Sequence, residues 1–375
     1  MELTEFYRTF SSDSTAGSAN QLLTEYDSER TVTGRCYYKL SHGGENYSLL
    51  FSNSIDSTFS DGSVSKANDV GGEWEILSMR VGLCRNSGDE PDKWYEITFE
   101  GSESKKISSP ESFCTDKIPL NAKKDDLLCY EITLRGTRFP YHEEAVLPVY
   151  IKQSDGSFKP DKRIPLPLMI GSDRKICSKV GFLGDSITQG CGTEVGSYTH
   201  WAAKIADGLN DDISVWNLGI GYARAYDAAS NGGWLERAKH CDTVNVCFGV
   251  NDILRGRTAK QVENDLYTII AALKSAGCQV ILFTVPPFDM TGEKGDIWYA
   301  VNESIRTCLC IEANAVFDFA AVLGASAPNQ HIAPYGGHPN AEGCRVLAGA
   351  YLKSDIVRLL SYEKPNNHLQ KPFSH

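Results

Sequence analysis

The chain has 375 residues, a formal net charge of −11, 41% hydrophobic and 23% charged residues. That length exceeds the usual size of one hydrophobic core, so two domains are expected, and the composition is that of a globular chain rather than a disordered one. The acidic balance, with no dense basic run, argues against nucleic acid or an anionic lipid surface as a partner.

The first six residues, Met1-Glu2-Leu3-Thr4-Glu5-Phe6, are acidic and lead into no apolar run, so no secretory signal is read there. No stretch approaches the roughly 18 consecutive apolar residues of a membrane span. Twelve cysteines are scattered without a Cys-x-x-Cys, Cys308 and Cys310 being the one close pair. Several sit in apolar runs, which reads as buried reduced thiols and fits a cytoplasmic protein. The compact Cys and His spacing of a zinc site is missing, and no metal or cofactor is expected.

Residues 30 to about 170 read as strands. Short aromatic or branched runs at 36–40, 47–51, 74–81, 94–99, 128–134 and 146–151 are separated by turn clusters such as Asp61-Gly62-Ser63 and Gly156-Ser157. Many short strands without a long helical pattern predict an all-β antiparallel sandwich over 1–172. The proline-bearing stretch Arg163-Ile164-Pro165-Leu166-Pro167 reads as the linker. From about 175 the rhythm becomes strand and helix in alternation. Strands are predicted at 179–184, 213–217, 243–248, 279–284 and 315–319, with helices at 198–206 and 341–360. Val262, Leu266, Ile269, Ile270 and Leu273 recur at helical spacing. The pattern predicts an α/β domain over 173–362 with five parallel strands covered on both faces, followed by a polar tail at 363–375.

Open parallel sheets gather their sites beyond the carboxyl ends of the strands. Four segments fall there or nearby: Gly184-Asp185-Ser186-Ile187, Asn217-Leu218-Gly219-Ile220-Gly221, Gly249-Val250-Asn251-Asp252 and His338-Pro339-Asn340. A serine hydroxyl needs a base to become nucleophilic, and a neutral imidazole can take its proton. The Asn251 amide and the backbone N–H groups of Ser186 and around Gly221 suit a developing oxyanion. Each segment taken alone also fits an ordinary turn or cap, Asn340 included. His42, His142, His200, His331 and His375 are weaker candidates for the base. Trp201, Trp216, Trp234 and Trp298 lie in the second half, where core packing is a commoner role than stacking on a sugar.

The ordered set resembles the SGNH, or GDSL-type, hydrolase superfamily. The resemblance implies a three-layer α/β/α (flavodoxin-like) domain, Ser186 as nucleophile, and His338 as base. It places oxyanion donors at Ser186, at Gly221 or Tyr222, and at Asn251, with Asp185 and Asp252 in support. Two departures stand out. The family's second-block glycine falls at or near Tyr222. The aspartate usual three residues before the histidine is Tyr335 here, within Pro334-Tyr335-Gly336-Gly337-His338. That loss predicts a Ser–His dyad, its imidazole oriented by a backbone carbonyl or, more remotely, by Asp318. A sandwich ahead of such a domain resembles the two-domain carbohydrate esterases, especially carbohydrate esterase family 2, with Phe51-Ser52-Asn53 and Asp56-Ser57-Thr58 as the echo and a jelly-roll-like first domain implied. The implied activity is removal of small acyl groups, acetyl foremost, from a carbohydrate without a cofactor. A lipase or thioesterase of the same superfamily and a catalytically inactive glycan-binding protein are the alternatives. Edge strands in the sandwich leave homo-oligomerisation open.

Overall fold

The computed structural model describes residues 1–57, 67–324, 331–334 and 336–362. Thr58, the turn at 61–63, Tyr335 and the tail at 363–375 lie outside the described residues.

The main strands of the first half are β1 (Arg30–Lys39), β2 (Tyr47–Ser52), β3 (Trp74–Cys84), β4 (Leu127–Gly136), β5 (Val149–Lys152) and β6 (Met169–Ser172). A seven-stranded antiparallel sheet runs through β5, β1, β4 and β3 in that order, and a four-stranded one pairs β6 with β2. Leu49 and Phe51 of β2 share one core with Tyr38, Ile76, Tyr130 and Ile132 of the larger sheet. The two sheets therefore pack face to face as a β-sandwich.

The smaller sheet is buried on its other face as well. Leu50 and Met169 turn away from the sandwich core and join Val180, Trp216 and Leu218 of the second half. Alternation along the strand sends Leu49 and Leu50 into different cores, so every residue of β2 is buried, Ser48 and Ser52 included. Phe6 and Phe10, in and just after helix α1 (Leu3–Thr9), pack into the same second core.

The second half carries β7 (Ser178–Gly184), β8 (Ile213–Gly219), β9 (Thr243–Cys247), β10 (Gln279–Phe283) and β11 (Ala315–Phe317). They form a five-stranded parallel sheet in the order β8, β7, β9, β10, β11. Helices α2 (Ser186–Gln189), α3 (Trp201–Gly208), α4 (Ala225–Ala229), α5 (Val250–Leu254), α6 (Ala259–Ser275) and α7 (Ala341–Leu352) are interspersed. The apolar stripe of α6 is buried as its spacing predicts, and Thr258 with Gln261 closes a capping box at its start.

Among the boundaries that differ from the sequence reading, four have a clear local reason. The run at 94–99 keeps only Tyr95–Glu96 as strand, because positive φ at Glu100 and Gly101 turns the chain away. Helix α3 begins at Trp201, since Tyr198 has φ 53° and His200 is extended at the cap. The final helix stops at Leu352. Ser354 is extended, its hydroxyl donates to the Tyr351 carbonyl at 2.6 Å, and a 3₁₀ segment Asp355–Ser361 comes next. The stretch expected as a linker is packed rather than loose. Ile164, Leu166 and Leu168 are buried, and the carbonyls of Pro165 and Pro167 accept from Tyr130 and Ser18.

A buried ion pair joins the halves: Arg237 Nη2 lies 2.6 Å from Asp56 Oδ2. Asp56 also accepts from the Asn20 amide at 3.1 Å. Removing one partner would strand a buried charge. Arg237→Met is therefore expected to lower unfolding free energy by about 3 kcal/mol, with Asp56→Asn/Arg237→Met recovering part of the loss. Urea denaturation of the three chains checks this.

Candidate active site

The parallel register levels three strand ends. Gly184 pairs with Gly219 on one side and Cys247 on the other. The segments beyond these strands therefore emerge at one edge of the sheet: Asp185-Ser186 after β7, the 220–224 turn after β8, and Asn251 on α5 after β9.

Ser186 opens α2, and Asp185 caps that short helix by accepting from the Ile187 N–H at 3.0 Å. The Ser186 amide occupies a helix position that has no intrahelical acceptor, so it is oriented outward as a donor. His338 arrives from the loop ahead of α7, and its Nε2 lies 2.8 Å from Ser186 Oγ. Asn340 caps α7 through the Gly343 N–H at 2.9 Å while its own N–H donates to Ile332. Capping by Asn340 and the reach of His338 to Ser186 thus coexist. The imidazole is buried, with the Phe288 ring edge-on at 5.1 Å and Gly192 close beside it.

The second-block turn runs from Ile220 to Ala223, closed by the Ala223 N–H donating to the Ile220 carbonyl at 3.4 Å. Tyr222 adopts φ 61°, a left-handed conformation ordinarily given to glycine. The side chain at the family's glycine position therefore leaves the backbone path intact. A Cβ at Gly221 would lie 1.8 Å from Glu144 Oε2, so any side chain there would displace the ends of Glu144 and Gln21. Gly219 is needed for close approach too, since its Cβ would meet Gln189 N at 2.2 Å. Asn217 ties the same junction, donating to the Thr188 carbonyl and accepting from the Gly219 N–H.

Neighbouring side chains on α5 hold this turn. Asn251 Nδ2 donates to the Ala223 carbonyl at 2.9 Å, which leaves its amide a second hydrogen. Asp252 accepts from the Ala225 and Tyr226 amides at 2.9 and 3.3 Å. Asp318, the remote candidate for orienting His338, instead accepts from Arg306, Thr284 and Ala321.

Residues of the first half reach the same turn, which sequence alone did not reveal. Gln21 Nε2 donates to Glu144 Oε2 at 3.0 Å and to the Gly221 carbonyl at 3.4 Å, and Ser57 Oγ donates to that carbonyl at 3.3 Å. Gln189 of α2 donates to the Glu144 carbonyl at 2.6 Å. Only Ser57 carried a signal, by lying in the segment that resembles the sandwich of carbohydrate esterases. The four tryptophans are buried, and each indole N–H donates to a backbone carbonyl: Trp201 to Ile187, Trp216 to Leu168, Trp234 to Leu218 and Trp298 to Val285. The exposed aromatics at the turn are Tyr222 and Tyr226, at 36% and 49% exposure.

Residues 182–346 match the GDSL-like Lipase/Acylhydrolase family. This part of the chain belongs to that family. Solved structures that resemble this chain include a member of the lipolytic protein G-D-S-L family from Veillonella parvula DSM 2008, at 22% identity over 47% of this chain and 97% of that one, with a TM-score of 0.41. A carbohydrate esterase family 3 protein from Talaromyces cellulolyticus is 22% identical over 49% of this chain and 98% of its own, with a TM-score of 0.40. A catalytic mutant of an acetylxylan esterase from Geobacillus stearothermophilus is 22% identical over 51% and 97%, with a TM-score of 0.40. No curated protein matches the chain. Among the described residues, no group of His, Cys, Asp or Glu side chains is placed to hold a metal ion, and no helix is long and apolar enough to cross a membrane.

The two supporting carboxyls are wholly buried. Burial pushes Asp185 up from 3.8 to about 7 and Asp252 up to about 6, and each backbone N–H bond pulls the other way. A carboxyl with a raised native pKa binds its proton more tightly when folded, so its contribution to stability falls as pH rises from about 4 through about 7. Asp185→Asn keeps the capping acceptor and removes that titration. Its melting temperature is expected to decline less than wild type between pH 5 and pH 8, measured by thermal scans at matched ionic strength.

Gly219→Ala forces a methyl group into the backbone of α2. It is expected to cost about 1–3 kcal/mol of stability and to reduce ester turnover by shifting the Ser186 turn against the 220–223 turn. Melting temperature and hydrolysis of 4-nitrophenyl acetate report the two effects separately.

Proposed function

We propose that this GDSL-like hydrolase is a serine esterase removing small acyl groups, acetyl foremost, from a carbohydrate. The observation that carries the reading is the 2.8 Å contact between Ser186 Oγ and His338 Nε2 at the edge of the parallel sheet. Ser186 attacks the ester carbonyl while His338 takes its proton. The tetrahedral oxyanion accepts from the Ser186 N–H, from backbone N–H at Gly221 or Tyr222, and from the second Asn251 amide hydrogen. His338 then protonates the leaving alcohol, and water repeats the sequence to free the acid and Ser186.

The base acts as the imidazole of a dyad. Support comes from the sequence: the position three residues before His338, where the family usually has aspartate, is Tyr335. Asp185 and Asp252 shape the site and take no proton from Ser186. In this reading residues 173–362 form the catalytic domain and 1–172 a jelly-roll-like domain. Acetyl preference follows from the resemblance to carbohydrate esterases. Carbohydrate as the alcohol is favoured by the exposed tyrosines at the turn and by the polar first-half residues that border it.

Hydrolysis of 4-nitrophenyl acetate tests the assignment. Ser186→Ala and His338→Ala are each expected to lose more than about 10³-fold in kcat. Asn251→Ala is expected to lose about 10²–10³-fold, the usual cost of one oxyanion donor. Wild-type turnover by Ser186→Ala would remove the nucleophile assignment. A preference for octanoyl over acetyl esters would move the protein to the lipase side of its family.

A further inference from the structure

The backbone donors of the proposed oxyanion site sit on two separate segments, α2 and the 220–223 turn. Their spacing depends on what joins those segments. Asn217 and Gly219 join them where β8 ends. A second connection comes from the first half, through one residue. The Glu144 main-chain carbonyl accepts from Gln189 Nε2 of α2 at 2.6 Å, three residues past Ser186. Its carboxylate Oε2 lies 1.8 Å from where a Cβ on Gly221 would start. The main chain of Glu144 thus holds α2, and its side chain rests on the turn.

The sandwich makes Glu144 a firm support. Leu22 and Leu23 pair with Tyr141 and Pro140, which brings Gln21 beside the 142–145 turn. The Gln21 N–H donates to the Tyr141 carbonyl at 3.0 Å, and the Ala145 N–H closes the turn onto the His142 carbonyl at 3.3 Å. Ala145 and Leu147 are buried in the sandwich core and anchor the turn from behind.

Gln21 and Glu144 then lock each other. The Gln21 amide donates to Glu144 Oε2 at 3.0 Å and accepts from the Glu144 N–H at 3.2 Å. The same Gln21 nitrogen reaches the Gly221 carbonyl at 3.4 Å, so both side chains bear on one residue of the turn. A glutamate side chain loses rotamer freedom when it is held, and these bonds take that loss before any substrate arrives. Preorganisation of this kind matters because an oxyanion donor acts only if it is already aimed.

We propose that Glu144, locked by Gln21, is a positioning residue that sets the distance between the Ser186 N–H and the N–H at Gly221 or Tyr222, so that the sandwich half completes the oxyanion site. The proposal rests on the esterase reading above and deepens it. Glu144 acts through the turn and through α2, and exchanges no proton with the substrate.

Kinetics on 4-nitrophenyl acetate test it, with kcat referred to the sites that a serine-directed phosphonate titrates. Glu144→Ala keeps the main-chain bond to Gln189 and removes the support of the turn. It is expected to lower kcat by about 10- to 100-fold with KM within about threefold, short of the full loss of a donor. Gln21→Ala keeps the carboxylate but unlocks it, and a loss in the same range is expected; it carries the test should Glu144→Ala fail to fold. Glu144→Gln keeps the length and an acceptor for Gln21, and is expected to restore kcat to within about threefold of wild type. Inhibition by phenylboronic acid, which forms a tetrahedral adduct on a catalytic serine, is expected to weaken in step with kcat across the variants. Unchanged kcat in the two alanine variants, a loss confined to KM, or a loss in Glu144→Gln equal to that in Glu144→Ala would each overturn the positioning role. So would boronate inhibition that stays at the wild-type level while kcat falls. A loss that disappears once competent sites are counted would assign both residues to folding alone. A wild type inactive on the ester strikes the esterase reading and the positioning role with it, whereas an active wild type with insensitive variants strikes the positioning role alone.

Discussion

The register of the parallel sheet is the constraint on which the site depends. Because Gly184 is level with Gly219 and Cys247, three chain segments leave the sheet at one height and can face a common point. A register shift would move Asn251 or the 220–223 turn along the strand direction by about 3.3 Å per residue, farther than a hydrogen bond tolerates. Close backbone approach then sets the finer geometry. Gly219 lets α2 rest on the end of β8, and Asn217 locks the two together with side-chain bonds to both. The imidazole at position 338 meets an already fixed hydroxyl.

The first half of the chain is built into this arrangement. The four-stranded sheet lies between two cores, with Leu49 and Phe51 facing one and Leu50 and Met169 facing the other. The ion pair between Arg237 and Asp56 is buried across the same junction, and the Gly221 carbonyl receives donors from Gln21 and Ser57. The turn proposed to carry an oxyanion donor is thus tied to Asn251 on one hand and to Gln21 and Ser57 of the sandwich on the other. Under the proposed mechanism the sandwich would limit the freedom of a backbone turn whose N–H must be aimed before the reaction begins.

Buried polarity around Ser186 obeys the same logic. Asp185 and Asp252 are held in apolar surroundings, where ionisation is disfavoured, by backbone N–H groups that favour it. Such groups contribute little to stability near neutral pH, and they fix loop geometry instead. Tyr222, strained into a left-handed turn, belongs to the same class of features that a site retains at some energetic cost.

The alternation of short strands, the later change to strand and helix, and the four ordered segments were enough to predict two antiparallel sheets ahead of a five-stranded parallel one, and to single out Ser186, Asn251 and His338. Those features are local: periodicity marks which face is buried, and a turn after an apolar strand marks a strand end. Boundaries set by single residues, such as Ser354 ending the last helix, were hidden because a stripe of apolar residues continues past them. The packed stretch 164–168 read as a linker because proline signals irregular backbone but says nothing of burial. The contacts of Gln21 and Glu144 with the Gly221 turn were decided only by tertiary structure. They depend on contacts far apart in the chain, 123 positions for Gln21 and Glu144 and 200 for Gln21 and Gly221, and no spacing rule in the chain encodes where two separately folded surfaces will touch.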